Sequence, residues 1–205
     1  DLNEFLDALP VRQLVKTEDG WRERMVVPEG ERFVCVAGPQ PMEAAVPQAR
    51  RNAKPGTIIE TCPGAATAVH EVAGRLVEQG GAALFIDYGH DQTRDGSSLQ
   101  AVRDHLKVDP FVNPGEADLT AHVDFATLAQ IAQSRGCTWL GTVPQGRWLR
   151  NLGIDARAQA LADRAPQHAG AIEAAKDRLV GEAQMGLLFK VMGLACPAWS
   201  GGAGF

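Results

Sequence analysis

Cysteine is scarce and scattered in this sequence: Cys35, Cys62, Cys137 and Cys196 lie far apart, and none forms a C-x-x-C pair. That spacing excludes the common zinc and dithiol redox motifs and fits free thiols in a reducing compartment. Aromatic residues make up only 6%, with a single tyrosine, Tyr88. Long apolar runs are missing too. The best stretch, Gly186 to Cys196, is interrupted by Lys190 and falls short of the ~20 residues a membrane-spanning helix needs. No G-x-x-x-x-G-K occurs and no G-x-G-x-x-G follows a strand, so these residues offer no phosphate-cradling loop. Basic charge does not dominate either. Twenty Lys and Arg against 25 Asp and Glu leave a net charge of -5, which argues against nucleic acid as the main partner. No targeting segment is visible, and the expected location is cytoplasmic with no membrane partner. The first residue is Asp1 where a Met would be usual, and the chain reads as one cut from something longer.

What is present is an ordinary folding composition. The 205 residues are 45% hydrophobic and 22% charged, enough for a sizeable buried core. Val11 to Val27 reads as two strands around a Glu18-Asp19-Gly20 turn. Six prolines then fall between Pro28 and Pro63, and residues 28–63 are expected to form an irregular proline-rich insertion with short strands at 32–37 and 57–61. Val69, Val72, Ala73, Leu76 and Val77 carry the stripe of an amphipathic helix, which Gly80-Gly81 would stop. Ala82 to Ile86 is an unalternating apolar run, as in a strand buried on both faces. A helix, a glycine turn and a buried strand make half of a βαβ unit. A second unit follows: Asp124 as helix cap, a helix through Ala132, and a strand at 138–143. Short helices at 147–152 and 155–164, a longer one at 167–184 and a strand at 187–192 complete the reading. The segment 97–114 fits helix or strand. Residues 200–205 are expected to be a flexible tail. The fold class is α/β.

Ligands of open α/β sheets bind beyond the carboxyl ends of strands, and acidic clusters occupy two such places. One is Asn3-Glu4-Phe5-Leu6-Asp7-Ala8-Leu9-Pro10; the other is Asp87-Tyr88-Gly89-His90-Asp91. These residues could surround a cationic or hydroxylated ligand, or serve as caps and turn formers. His122, between Asp118 and Asp124, fits a carboxylate-oriented base or a structural histidine before a cap. His105 and His168 read as surface residues, and His70 lies beside its helix's apolar stripe.

In combination these segments resemble the MidA-like methyltransferases, bacterial relatives of a mitochondrial complex I assembly factor that methylates arginine. Asn3 to Pro10 is similar to the family's N-E-F-F-D-A-L-P signature, with Leu6 in place of the second Phe. Gly80 to His90 is similar to G-G-A-x-L-x-x-D-Y-G-H, and Pro114-Gly115 through Phe125 to P-G-x-x-D-L-T-A-x-V-D-F. Gln145-Gly146 through Leu149, Leu152 to Ile154 and Met185 through Val191 fit in the same order. The resemblance covers residues 1–199 and implies the C-terminal part of a Rossmann-like class I sheet using S-adenosylmethionine. The family's glycine-rich cofactor turn would precede Asn3, so cofactor-binding residues are not identifiable here. The acceptor implied is a protein arginine, on a respiratory complex I subunit in the mitochondrial branch. The resemblance makes Glu4 and Asp7 the catalytic candidates, because a carboxylate can pair bidentately with a guanidinium. Asn3, Asp87, Tyr88, His90 and His122 are the substrate-binding candidates. The proline-rich insertion would clamp a protein substrate or form a homodimer contact. The alternative is a non-catalytic binding or assembly module that kept the substrate-facing half of the fold; a Rossmann oxidoreductase lacks its nucleotide fingerprint.

Overall fold

A computed structural model describes residues 2–104 and 106–205, the side chain of Leu2 excepted; His105 lies outside them. In chain order the elements are β1 (Leu2–Asn3), β2 (Arg12–Thr17), β3 (Gly20–Glu29), β4 (Arg32–Pro41), β5 (Ile58–Thr61), α1 (Pro63–Gln79) and β6 (Ala82–His90). Then come β7 (Gln100–Arg103), β8 (Leu106–Val108), β9 (Asp118–Thr120), β10 (Val123–Asp124), α2 (Phe125–Ser134) and β11 (Thr138–Pro144). The last are α3 (Gln145–Asn151), α4 (Ile154–Arg164), α5 (Ala169–Val180) and β12 (Phe189–Ala195). They fall into two compact units: residues 1–7, 66–93 and 123–205 in one, and 8–65 and 94–122 in the other.

The first unit holds a mixed sheet in the order β1-β6-β12-β11, with β10 also pairing β6. β1 and β10 run parallel to β6, whereas β12 lies antiparallel between β6 and β11. α1 starts on Pro63, where the missing N–H costs nothing, and buries Val69, Ala73 and Leu76. Gly80 and Gly81 stop it in left-handed backbone, as expected. β6 departs from a strand buried on both faces. Phe85, Asp87 and Gly89 are buried while Leu84, Ile86 and Tyr88 are half-buried, so one face only is closed. Asp124 caps α2 by accepting from the Thr127 amide at 3.1 Å. Phe85, Phe125, Val191, Met192 and Leu194 form fully buried core, each stabilising by roughly 1.5–3 kcal/mol.

Two further expectations in this unit need correction. The helix expected over 167–184 ends at Val180, because Gly181 is extended and a π-turn, Glu182–Gly186, follows. Gly186 passes so close to Val180 that a Cβ there would lie 2.2 Å from the Val180 carbonyl oxygen. The end expected to be a flexible tail instead folds back on α3: Trp148 Nε1 donates to Ala203 O and Asn151 Nδ2 to Gly204 O, at 3.2 and 3.0 Å. Phe205 packs its ring against Trp148.

The second unit corrects the proline-rich stretch. Its residues are mostly regular: β4-β3-β2-β5 form a four-stranded antiparallel sheet. This sheet has a core of its own, Leu14, Trp21, Val46 and Ile59, supported by Met42 and Ala53. Trp21 is fully buried and its indole N–H donates to Arg51 O at 3.1 Å. The ambiguous segment 97–114 is strand, not helix: β7 and β8 form a hairpin that β9 joins. Among the described residues no helix is long and apolar enough to cross a membrane.

Candidate functional site

The ladder between β1 and β6 is short: Leu2 pairs with Phe85 and Asn3 with Ile86, and the Glu4 amide donates to Ile86 O at 2.9 Å. There the chain turns. Glu4 takes φ 48°, a left-handed conformation that a non-glycine residue adopts at a cost. The turn then curls its amides around one carboxylate. Asp87 Oδ2 accepts from the amides of Phe5, Leu6 and Asp7 at 3.2, 3.0 and 3.3 Å. Its Oδ1 accepts from the Tyr88 amide at 2.9 Å. Successive backbone N–H groups converging on an anion form a nest, and here the anion belongs to the protein. Leu6, at 3% exposure, anchors the turn in the core; Leu in place of Phe still fills an apolar position.

A second carboxylate stands beside the first. Asp7 is 6% exposed, and its Oδ2 accepts from the Tyr88 hydroxyl at 2.5 Å. Its Oδ1 is buried without a hydrogen-bond partner. Leaving a buried carboxylate oxygen unpaired is costly. The electrostatics register the crowding: burial foremost, and then the charge of Asp7, push the Asp87 carboxyl up to about 6. The amides of Leu6, Asp7 and Tyr88 pull the other way. The Tyr88 ring packs edge-on against Phe189 of β12, with centroids 5.6 Å apart.

The structure thus brings Asn3, Glu4, Asp7, Asp87 and Tyr88 together. Asn3 and Glu4 are exposed and Tyr88 is half-buried. Asp87, expected at the border of the substrate, is 1% exposed here and both its oxygens accept from main-chain amides. His90 turns to its own loop, Nδ1 lying 2.7 Å from Gln92 O and 3.8 Å from Asp124 Oδ1. His122 belongs to the second unit, where its amide donates to Ser98 Oγ at 2.9 Å and its Nδ1 faces Arg94 Nη1 at 3.3 Å.

Lys190 lies beside the same strand pair. It is the β12 partner of Asp87 in the Cα register, and burial lowers its pKa while Asp91 opposes the shift. Its ammonium donates to Leu187 O at 2.5 Å. The one available signal was a lone lysine breaking an apolar run. Elsewhere in this unit a groove of about 370 Å³ runs along α2 between Asp91 and Trp139 and contains none of the candidates.

Comparison with known proteins places this arrangement. Residues 2–143 match the model of a family described as "Putative S-adenosyl-L-methionine-dependent methyltransferase". The chain is 40% identical over 168 residues to the rat mitochondrial protein arginine methyltransferase NDUFAF7, covering 80% of this chain and 37% of the relative. With the Caenorhabditis elegans homolog it is 33% identical over 205 residues, 97% of this chain and 46% of the relative. The chain therefore spans less than half the length of these curated relatives. A Burkholderia thailandensis protein solved with S-adenosyl-homocysteine superposes with a TM-score of 0.86 at 34% identity, over 99% of this chain and 54% of that one. The fold is accordingly the α/β fold of these methyltransferases. The expected cytoplasmic location is overturned, since the rat, mouse and human relatives are all mitochondrial by name. The family model covers well over half of the chain, and the chain belongs to the MidA-like family of S-adenosylmethionine-dependent methyltransferases.

Proposed function

We propose that this chain is the acceptor-side part of a protein arginine methyltransferase. The observation that carries the proposal is the Asp7 carboxylate, buried with one oxygen unpartnered in the turn that follows β1. A planar cation with several N–H donors fits that need, and a guanidinium is such a cation. The names of the relatives support the reading, as does the S-adenosyl-homocysteine held by the Burkholderia protein. When bound, S-adenosylmethionine supplies an electrophilic methyl group on a sulfonium. The acidic strand end suits a cationic donor and a cationic acceptor alike.

In this reading Glu4 and Asp7 hold the guanidinium, with Asn3 and Tyr88 at its border. The carboxylates fix one nitrogen in line for attack, so that positioning supplies most of the rate. As the nitrogen gains a methyl group the guanidinium gives up a proton, for which an exposed carboxylate such as Glu4 is a suitable acceptor. The protein substrate and a respiratory complex subunit as its source belong to the same proposal. So does a clamping or dimer-forming role for residues 28–63, where β4 presents an unpaired edge.

The test uses the full-length protein that carries these residues, with labelled S-adenosylmethionine and arginine-containing protein substrates. Glu4→Gln and Asp7→Asn should each lower methyl transfer by roughly 100-fold or more, with S-adenosyl-homocysteine binding retained. Methylation at the wild-type rate in both variants overturns the assignment. A wild-type protein that binds a protein partner but transfers no methyl group favours the binding module.

A further inference from the structure

We infer that Asp87 is the positioning residue of the acceptor site: its carboxylate folds the Glu4–Asp7 turn and so sets where the two candidate catalytic carboxylates stand. The inference rests on the proposed acceptor site and adds to it a residue that never touches the acceptor. Three facts converge. Both oxygens of Asp87 are occupied by main-chain N–H groups, three of them from consecutive residues of the turn. The turn carries a residue in strained left-handed backbone, Glu4, one position before the first of those amides. Strain of this kind persists only where the surroundings over-determine the conformation, and four hydrogen bonds, counting Glu4 N to Ile86 O, do that here.

The second carboxylate makes the arrangement specific. The amide of Asp7 is bonded to Asp87 while the side chain of Asp7 is bonded to Tyr88, the residue next to Asp87 on β6. Asp7 is thus held at its backbone by one residue of β6 and at its side chain by the next. The remaining freedom of its carboxylate is small, and Oδ1 is the oxygen left over. An ordinary capping residue would satisfy the amides without a second buried charge beside it. Two neighbouring carboxylates are electrostatically unfavourable in a protein interior, so fold stability alone does not account for the pair. Fixing the acceptor's partner does.

The experiment pairs two readouts on full-length wild type, Asp87→Asn and Tyr88→Phe. Amide hydrogen exchange follows residues 4–7; methyl transfer is measured as kcat and KM, with S-adenosyl-homocysteine affinity alongside. In Asp87→Asn, exchange at residues 5–7 should speed up about tenfold or more while α2 and β11 keep their protection. With the cofactor affinity unchanged, kcat/KM should fall by about tenfold or more. Tyr88→Phe should leave amide exchange near wild type and raise KM for the acceptor, because it releases the Asp7 side chain and leaves the amides on Asp87 in place. Unchanged exchange in Asp87→Asn overturns the inference, and so does faster exchange with an unaltered kcat/KM. A wild-type protein inactive toward every arginine substrate defeats the arginine reading instead, and the exchange arm still decides whether Asp87 holds the turn.

Discussion

Two carboxylates, one in each unit, are drawn into the protein and treated in opposite ways. Glu60, on β5, accepts from Gln13 Nε2 and the Ser98 amide at 2.7 and 2.9 Å, and from Ser98 Oγ at 2.5 Å. Gln13 in turn accepts from Arg24 Nη1 at 2.5 Å, so a guanidinium closes the network. One negative and one positive charge share a set of satisfied polar atoms that ties β2, β3 and β5 to the segment at Ser97–Ser98. Asp87 sits among main-chain amides, with Asp7 as its charged neighbour. Among the described residues neither Asp7 nor Asp87 joins a salt bridge. The contrast lies in how each charge is balanced. A charge-balanced polar network holds strands together, whereas the Asp7–Asp87 pair is held by amides and one hydroxyl, with no cation in a salt bridge to it among the described residues.

The largest test of that contrast is the response to pH. The Asp87 carboxyl is raised from 3.8 to about 6 in the folded protein. Its protonated form is therefore favoured by folding. The corresponding stability is fully present below the unfolded value and is lost as pH rises through about 6. It amounts to something on the order of 3 kcal/mol. Denaturation of wild type and Asp87→Asn at pH 4 and pH 8 should show the wild type losing that much more stability over the interval. Equal losses would mean that the buried pair is already compensated, and the comparison would break.

Glu60→Gln probes the other carboxylate. The new amide presents N–H groups toward a donor it once accepted from, and leaving a buried donor unsatisfied costs roughly 1–3 kcal/mol. The cost should appear in denaturant titrations as a lower midpoint with an unchanged slope. A variant as stable as wild type would show that the network does not hold these strands.

Asp124 sharpens the scale from below. It is an acidic residue with a purely local task, accepting from the amide and hydroxyl of Thr127 at the start of α2. Asp124→Ala should cost about 1 kcal/mol, read as a lower melting temperature with faster amide exchange in the first turn of α2. A cost as large as that at Glu60 would mean that its 3.8 Å approach to His90 contributes as much as the cap does.

Legibility followed sequence distance. The α1 stripe, its Gly80-Gly81 stop, the Asp124 cap and the β2–β3 hairpin depend on neighbours a few residues away, and all were readable. The proline-rich stretch is more regular than its prolines suggest, the expected strands at 32–37 and 57–61 falling on β4 and β5, for a physical reason. Pro39 and Pro41 lie on β4, an edge strand, and Pro28 lies where β3 has run past the end of its pairing with β2. Proline removes a ladder donor only where a neighbour needs one, and these positions have an open side. The long helix was overread because its 3.6 periodicity continues past Gly181, where the backbone turns extended. At the site, the motif pointed to Asn3, Glu4 and Asp7, whereas the closure of Asp87, the neighbourhood of His122 and the burial of Lys190 came from partners far along the chain.

The sequence by itself determined most of the helices, the strands at β6 and β11, the acidic character of the strand ends and, through six blocks in order, the family. Local backbone preference and the spacing of apolar residues suffice for the helices and strands. Only the tertiary structure decided which acid meets the solvent and which is walled in. The amides that fold around Asp87 lie 80–82 residues before it, and a carboxylate's charge state and accessibility are set by what surrounds it in space.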